Sequence, residues 1–297
     1  MDIHANKLPL VSVRLMTYNQ ADFIKDTIDG IMIQRTNFFV EVVVGDDFST
    51  DDTLKIIRSY SDKKNIKIRI LNRSIGDEYW QIRQRLGRLN NFTNTIENCK
   101  GKYIALLDGD DYWSDPYKLQ KQVDFLEENP EYGMVSADID LIDENGNTIP
   151  DNNMVLKQRA NYKSTVDFFD LLKINQINTL TVCARADLMK YLAERVVKEN
   201  LWFVYDYWFW LNISSERKVR VLDEKMAAYR VHNGGISKQK DFFKIRKVLV
   251  QKDALNEALK KKHLNNKQFC LKYGYLLYHI LRSRNTEALA YILKLKK

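Results

Sequence analysis

Three carboxylates fall within four positions in "LLDGDDYW", at Asp108, Asp110 and Asp111, directly after an apolar run. Carboxylates this close repel one another, so a cation between them is the natural resolution. One or two carboxylates with a bound phosphate in the other positions is the usual Mg2+ or Mn2+ arrangement. Two other chemistries are weighed. An EF-hand is excluded, because the twelfth position from Asp108 is Leu119 and not a bidentate Glu. "GDD" also occurs in the metal motif of template-dependent RNA polymerases, but the chain is short for one and shows none of their other motifs. A charged loop after a strand is the plain alternative.

A second acidic pair, Asp46 and Asp47, ends another apolar run, "FVEVVVGDD". A third feature is Asp206, one carboxylate set among aromatics in "FVYDYWFWL". Desolvation there would raise its pKa toward working pH, as a general base requires. The plain alternative is an N-cap on an aromatic core helix. Trp208 and Trp210 could stack on a ligand or pack in the core. His232, in "YRVHNGGIS", is one of four histidines and could be a metal ligand or a structural residue. Arg83, Arg85 and Arg88 could grip phosphate through bidentate hydrogen bonds, or form a solvated helix face.

The elements that must position these groups can be read from periodicity. Leu10–Met16 alternates and is β-branched, predicting a strand; Ile24, Ile28 and Ile31 follow at helical spacing. "FVEVVVGDD" reads as a strand covered on both faces. "STDDTLKIIRSY" opens a helix with Ser49 or Asp51 as cap. Ile66–Leu71 is a third strand, followed by a loop and one helix stopping near Gly101. "KYIALLDGDD" is a fourth strand. The next helix turns Leu119, Val123 and Leu126 inward, with Pro116 in its first turn.

This β-α-β-α-β-α-β order predicts an α/β fold with a mainly parallel central sheet flanked by helices. Ligands in such sheets bind beyond the C-terminal strand ends. Both acidic clusters sit there. Beyond Pro130 the sequence predicts a hairpin at "ENGN", a strand and helix over "INTLTVCARADLMKYL", an aromatic helix, and a strand pair or bent strand over "KVRVLDEKMAAYRVH".

Residues 238–297 carry a net charge of +12 against −4 for the rest of the 297-residue chain. These predicted helices have three readings: a face for anionic lipid with Phe242, Phe243, Ile245 and Val248 on its apolar side, a homo-oligomer contact, or a cover for the domain. The expected division is residues 1–235 and a basic helical extension, 236–297. Nucleic acid is not expected as a partner, since the body is acidic and no nucleic-acid motif is present. No apolar run reaches the roughly 18–20 residues needed to span a bilayer, and no export signal is predicted. Three dispersed cysteines fit a reducing compartment and argue against a disulfide framework.

"VSVRLMTYNQADFIKDTI", "VVVGDDFSTDDT" and "GKYIALLDGDDYWSDPYKLQKQVDFL" resemble the successive motifs of family 2 glycosyltransferases, and the ordered resemblance covers about residues 9–233. It is nearest in flavour to bacterial enzymes that build capsule, lipopolysaccharide or exopolysaccharide. Met16 stands where the family usually has proline, and Arg14 is unusual in strand one; neither is expected to touch the acidic residues.

The resemblance implies the GT-A fold and an inverting transfer from a nucleotide-diphosphate sugar, with UDP the favoured nucleotide. The acceptor would be a glycan or lipid-linked hydroxyl. Thr17, Tyr18 and Asn19 would form the nucleotide entry, with Tyr18 a flat face for the base and Asp47 accepting from a pyrimidine N3–H. Arg88 and Asn91 would also meet the nucleotide. Asp108 and Asp110 would hold ribose or metal. Asp110, Asp111 and His232 would bind Mn2+ or Mg2+, and Asp206 would be the base. The implied place is the cytoplasm, at the inner face of the plasma membrane if the basic tail binds lipid. A nucleotidyltransferase would need a Gly-rich basic loop that "TYNQADF" lacks. A sugar-nucleotide-binding or scaffold protein without catalysis would not need Asp110, Asp111 and Asp206 together.

Overall fold

The structure, a computed structural model, describes residues 9–234, 240–261 and the single Gly274. Its first half is built from β1 (Val11–Thr17), α1 (Ile24–Met32), β2 (Val40–Asp46), α2 (Thr53–Arg58), β3 (Ile66–Ile70), α3 (Glu78–Leu86), α4 (Arg88–Glu97) and β4 (Tyr103–Asp108). The strands pair in the order β3-β2-β1-β4, and every pairing is parallel. Central strands covered on both faces must be apolar throughout, and Val40, Val42, Val43 and Val44 are wholly buried. Ile24, Ile28 and Ile31 form the buried stripe that seats α1.

The single helix expected before β4 is two. Gly87, at φ 59° and ψ −139°, takes a conformation other residues resist and breaks α3 from α4. Gly101 is not the helix stop. α4 is capped at Asn98, and a Cβ on Gly101 would come within 2.6 Å of the Ser12 nitrogen.

The second half comprises β5 (Tyr112–Trp113), α5 (Lys118–Glu128), β6 (Tyr132–Ile142), α6 (Asn153–Ala160), β7 (Thr165–Val166), α7 (Phe168–Lys173), a 3-10 turn (Thr179–Thr181), β8 (Cys183–Arg185), α8 (Ala186–Lys198), α9 (Asp206–Glu216), β9 (Lys218–Arg230) and α10 (Lys240–Lys260). β8 runs antiparallel to both β4 and β6, so the sheet changes direction beside β4. β9 is the bent strand of the two options. It pairs parallel with β6, with register shifts at Ala137, Asp138 and Ile139. It also pairs antiparallel with β5 and β7. The Asn-Gly signal gives a turn with Gly146 at φ 85°, but the returning chain makes only one bridge, Ile142 to Thr148. Pro116 lies just ahead of α5, whose N-cap is Tyr117.

α10 packs on α9 and buries Val250, Ala254, Leu255 and Ala258 in the same core as Trp208 and Phe209. Asp253 accepts from Trp208 Nε1 at 2.7 Å and pairs with buried Arg195 at 3.2 Å. This stretch of the basic tail therefore covers the domain, and Val248 is partly buried against that core. The side chains of Phe242, Phe243 and Ile245, the boundary at 235/236, and residues 262–297 apart from Gly274 lie outside the described residues. Among the described residues no helix is long and apolar enough to cross a membrane.

Candidate active site

The parallel register brings the acidic strand ends together. Thr17 at the end of β1 pairs with Asp46 of β2, and Met16 pairs with Asp108 of β4. The rim beyond these strand ends is therefore lined by Thr17, Tyr18, Asn19, Asp46, Asp47 and Asp108.

On the β1–β2 side the turn is built by side chains holding backbone. Asn19 takes a left-handed conformation, φ 49°, which Asn tolerates. Its N–H donates to Ser49 Oγ at 2.9 Å, and its Oδ1 accepts from the Thr50 N–H at 2.8 Å. Thr17 is buried, and Tyr18 is 53% exposed. Asp51 accepts from the N–H groups of Ala21 and Thr53, so it ties the two turns together. Asp47 is buried, and its Oδ1 accepts from both Tyr79 Oη and Arg83 Nε at 2.7 Å. Arg83 is thus the carboxylate's partner and not part of a bare solvated face. Arg88 is exposed and feels the charges of Asp108 and Asp47, which places it over the rim.

Asn91 is turned into the fold. Its Nδ2 donates to the Gly45 carbonyl at 2.8 Å, and its Oδ1 accepts from Arg73 Nη1 at 2.8 Å. A Cβ on Gly45 would come within 2.5 Å of that Oδ1, so β2 and α4 meet here on a glycine. The side chain expected to meet the nucleotide instead locks a helix to a strand. Arg73, which the sequence did not single out, completes this knot and stacks 3.8 Å over the Tyr79 ring.

The three acids of the β4 end have separate partners. Asp108 accepts from Arg14 Nη1 at 2.6 Å, so Arg14 does touch the acidic cluster, contrary to expectation. Desolvation raises the Asp108 carboxyl, Arg14 pulls it back down, and Asp110 adds to the rise. Asp110 Oδ2 lies 3.0 Å from His232 Nε2. Asp111 is buried and spends Oδ1 on the Arg230 N–H at 2.8 Å. Burial, reinforced by Asp110, holds the Asp111 carboxyl well above the ordinary value.

Arg230 organises this corner. It donates to the Asp110 carbonyl at 3.0 Å, reaches Asp26 of α1 at 2.8 Å, and lies 4.8 Å from the Phe23 ring centre. Its only sequence signal was its place two residues before His232.

Among the described residues no three His, Cys, Asp or Glu side chains converge as a metal cage. Asp110 and His232 do present an oxygen and an imidazole nitrogen side by side, a donor pair suited to Mn2+ or Mg2+ completed by phosphate. The metal residues fit as a pair, with Asp111 turned to the backbone.

Asp206 opens α9 in the first turn; the N-cap position is Tyr205, so the capping alternative does not hold. Its Oδ2 accepts from the Thr179 hydroxyl, and its Oδ1 from the Tyr207 N–H at 2.7 Å. Burial raises its carboxyl above the ordinary value. Thr179 and the Tyr207 N–H oppose the rise, the Asp108 charge adds to it, and Arg14 opposes it. Trp208 and Trp210 are wholly buried, which assigns both to the core. Thr179 had no local sequence signal, since it arrives from a 3-10 turn 27 residues away.

The model for glycosyl transferase family 2 matches residues 12–192. The chain belongs to glycosyl transferase family 2. Its relatives include an uncharacterized protein of Mycobacterium tuberculosis, 30% identical over 226 residues, 76% of this chain. The chain spans 60% of that relative's length. The Escherichia coli enzyme WfaP, named UDP-Glc:alpha-D-GlcNAc-diphosphoundecaprenol beta-1,3-glucosyltransferase, is 29% identical over 78% of this chain and 82% of its own.

Among solved structures, Staphylococcus aureus TarS 1-349 in complex with UDP superposes with a TM-score of 0.57 at 21% identity, covering 82% of this chain and 65% of that one. The mannosyltransferase PcManGT of Pyrobaculum calidifontis, in complex with GDP-Man and Mn2+, gives 0.54 at 17% identity, covering 86% and 65%. The fold is GT-A. The Bacillus subtilis protein named "Putative teichuronic acid biosynthesis glycosyltransferase TuaG" is 26% identical over 79% of this chain and 84% of its own.

Proposed function

We propose that the chain transfers a sugar from a UDP-sugar, with inversion, to a hydroxyl of a glycan or lipid-linked acceptor in surface-polysaccharide synthesis. The observation that carries this reading is the placement of Asp206. It stands in the first turn of α9 with its carboxyl raised by burial, close enough to Asp108 to feel its charge. A desolvated carboxylate facing the strand-end acids is what a single displacement needs. UDP in the TarS neighbour and the UDP-Glc donor in the WfaP name support the choice of nucleotide.

The residues divide the work. Tyr18 offers its exposed face to the base, Asp47 accepts from the pyrimidine N–H, and Asp108 takes ribose. Thr17 and Asn19 shape the entry, and Arg88 draws in the diphosphate. Asp110 and His232 would hold Mn2+ or Mg2+, which when bound neutralises the diphosphate leaving group. Asp206 accepts the acceptor hydroxyl's proton as its oxygen attacks the anomeric carbon. The bond to the diphosphate breaks with its electrons leaving on phosphate oxygen. Thr179 and the Tyr207 N–H orient that carboxylate. We place the reaction in the cytoplasm, and at the inner membrane face if the basic tail binds lipid.

The test is nucleotide release from a panel of UDP-, GDP- and dTDP-sugars with Mn2+. Release from a UDP-sugar, lost in Asp206→Asn while UDP still binds, is expected. No binding or release with any donor overturns the reading.

A further inference from the structure

Arg14 has no part in the steps above, yet its setting is costly. It lies in mid-β1 between Val43 of β2 and Leu106 of β4 and is wholly buried. A guanidinium withdrawn from water is expensive unless paired and fully hydrogen-bonded. Only one end is satisfied, through Nη1 to Asp108 at 2.6 Å. Nε and Nη2 are buried with no hydrogen-bond partner.

The guanidinium rests 4.7 Å from the Phe92 ring centre, and Phe92 meets Phe209 of α9 with ring centres 4.9 Å apart. Phe209 is three residues after Asp206, so the two share a helix face. Arg14, Phe92 and Phe209 thus lead from β1 to the side of α9 that carries Asp206.

Resting on the reading of Asp206 as base, we propose that Arg14 is a positioning residue for the transfer: it pins Asp108 at the strand end and, with two nitrogens unpaired on the Phe92–Phe209 path to α9, keeps the Asp206 carboxylate aimed at the cleft. Asp206 must be ionised before it can accept a proton. Asp108 of β4 works against that ionisation, and so does burial. The Thr179 hydroxyl, the Tyr207 N–H and Arg14 work for it. Tyr205, the N-cap of α9, stands beside it, and Arg246 of α10 acts on Tyr205. Arg14 is therefore a cation that opposes Asp108 at this carboxylate.

The experiment measures UDP release against pH, with Mn2+, from whichever of UDP-glucose, UDP-N-acetylglucosamine and UDP-galactose the wild-type chain turns over. Arg14→Met should move the acid limb up by about one pH unit and cut release below it about tenfold. UDP affinity should hold within about threefold. The same displacement should appear in an Asp108→Asn background. Arg14→Lys keeps the charge but loses the fork. Its limb should stay in place while its rate falls about tenfold.

An unmoved limb in Arg14→Met overturns the proposal, as does a displacement that vanishes with Asp108→Asn. A Lys variant at wild-type rate overturns it even where the Met variant fails to fold. An acid limb that survives in Asp206→Asn sinks the base assignment and this proposal with it. A limb abolished there but unmoved by Arg14→Met sinks only the role of Arg14.

Discussion

His232 Nε2 lies 3.0 Å from Asp110 Oδ2, although 122 positions separate the two residues. β9 makes the meeting, because its last residues pair with β6 and its Arg230 clamps the β4 end. The Phe23 ring, centred 5.0 Å from the imidazole, packs His232 from the α1 side. A nitrogen and an oxygen fixed this way are the pair proposed above to hold the metal, with few degrees of freedom left to either.

Removing either half should therefore act on metal-dependent binding first. His232→Ala and Asp110→Ala should each weaken UDP binding in Mn2+ by about 10–100-fold, with little change in EDTA. Calorimetry with and without the metal checks this. Equal weakening in both conditions would assign the pair to the nucleotide or to the fold.

Asp111 should separate from them. Asp111, which the resemblance places with Asp110 and His232 at the metal, is buried and bonded to the Arg230 backbone. Asp111→Asn keeps an acceptor for that N–H and should retain Mn2+-dependent UDP binding. Asp111→Ala leaves a buried donor unpaired and should cost about 1–3 kcal/mol of stability, read as a lower denaturation midpoint. Loss of metal response in Asp111→Asn, with the fold intact, would return Asp111 to the metal.

Asp47 offers a graded test of nucleotide selection. Tyr79 and Arg83 both donate to its Oδ1 at 2.7 Å, which fixes the orientation of the carboxylate. Tyr79→Phe removes one of these bonds and should weaken UDP binding about threefold to tenfold. Arg83→Ala removes the charged one and should weaken it more. Asp47→Asn should lose discrimination of UDP over GDP. Titrations with both nucleotides check the order; an unchanged preference in Asp47→Asn would reject its contact with the base.

What could be read from sequence follows the range of each physical signal. The buried valines of β2 and the isoleucine stripe of α1 are local patterns, and both elements stand where periodicity puts them. The strand-end position of Asp47 and Asp108 follows from those patterns and parallel topology. Arg83, Arg85 and Arg88 looked alike in sequence because a helix face does not reveal which residue meets a carboxylate from another element. The inward turn of Asn91 is hidden for the same reason, its partners being Gly45 and Arg73. Thr179 was illegible, since a 3-10 turn has no periodicity to place it against α9. Arg14 was visible as an oddity, but its contact with Asp108 depends on side-chain reach that strand alternation does not encode.

The basic tail gives a stability prediction. A helix that only touched lipid could be lost without harm to the domain, but α10 buries Leu255 and Ala258 against the α8–α9 core. Leu255→Ala should cost about 2–5 kcal/mol, measured by urea unfolding. Truncation at 238 should lower the midpoint further and expose Trp208. Flotation of the full chain with anionic liposomes tests the lipid reading separately; a truncated chain as stable as the full one would reject the packing role.

Asp206 should show a conflict between chemistry and stability. Its carboxyl is raised in the folded state above the ordinary carboxylate value, chiefly by burial. The protonated form is therefore the one the fold prefers. That contribution is fully present below the ordinary carboxylate value and is lost as pH rises through the folded-state value. Above the folded-state value the wild-type chain holds a carboxylate the fold disfavours, and Asp206→Asn relieves it. The Asn variant should melt roughly 2–4 °C higher than wild type at pH 8, and the gap should close toward pH 4. Its UDP release should be lost across the whole range, because an amide cannot take the acceptor's proton. A variant less stable than wild type at pH 8 would show that the Thr179 and Tyr207 bonds outweigh burial, leaving Asp206 a well-satisfied structural acid and not a poised base.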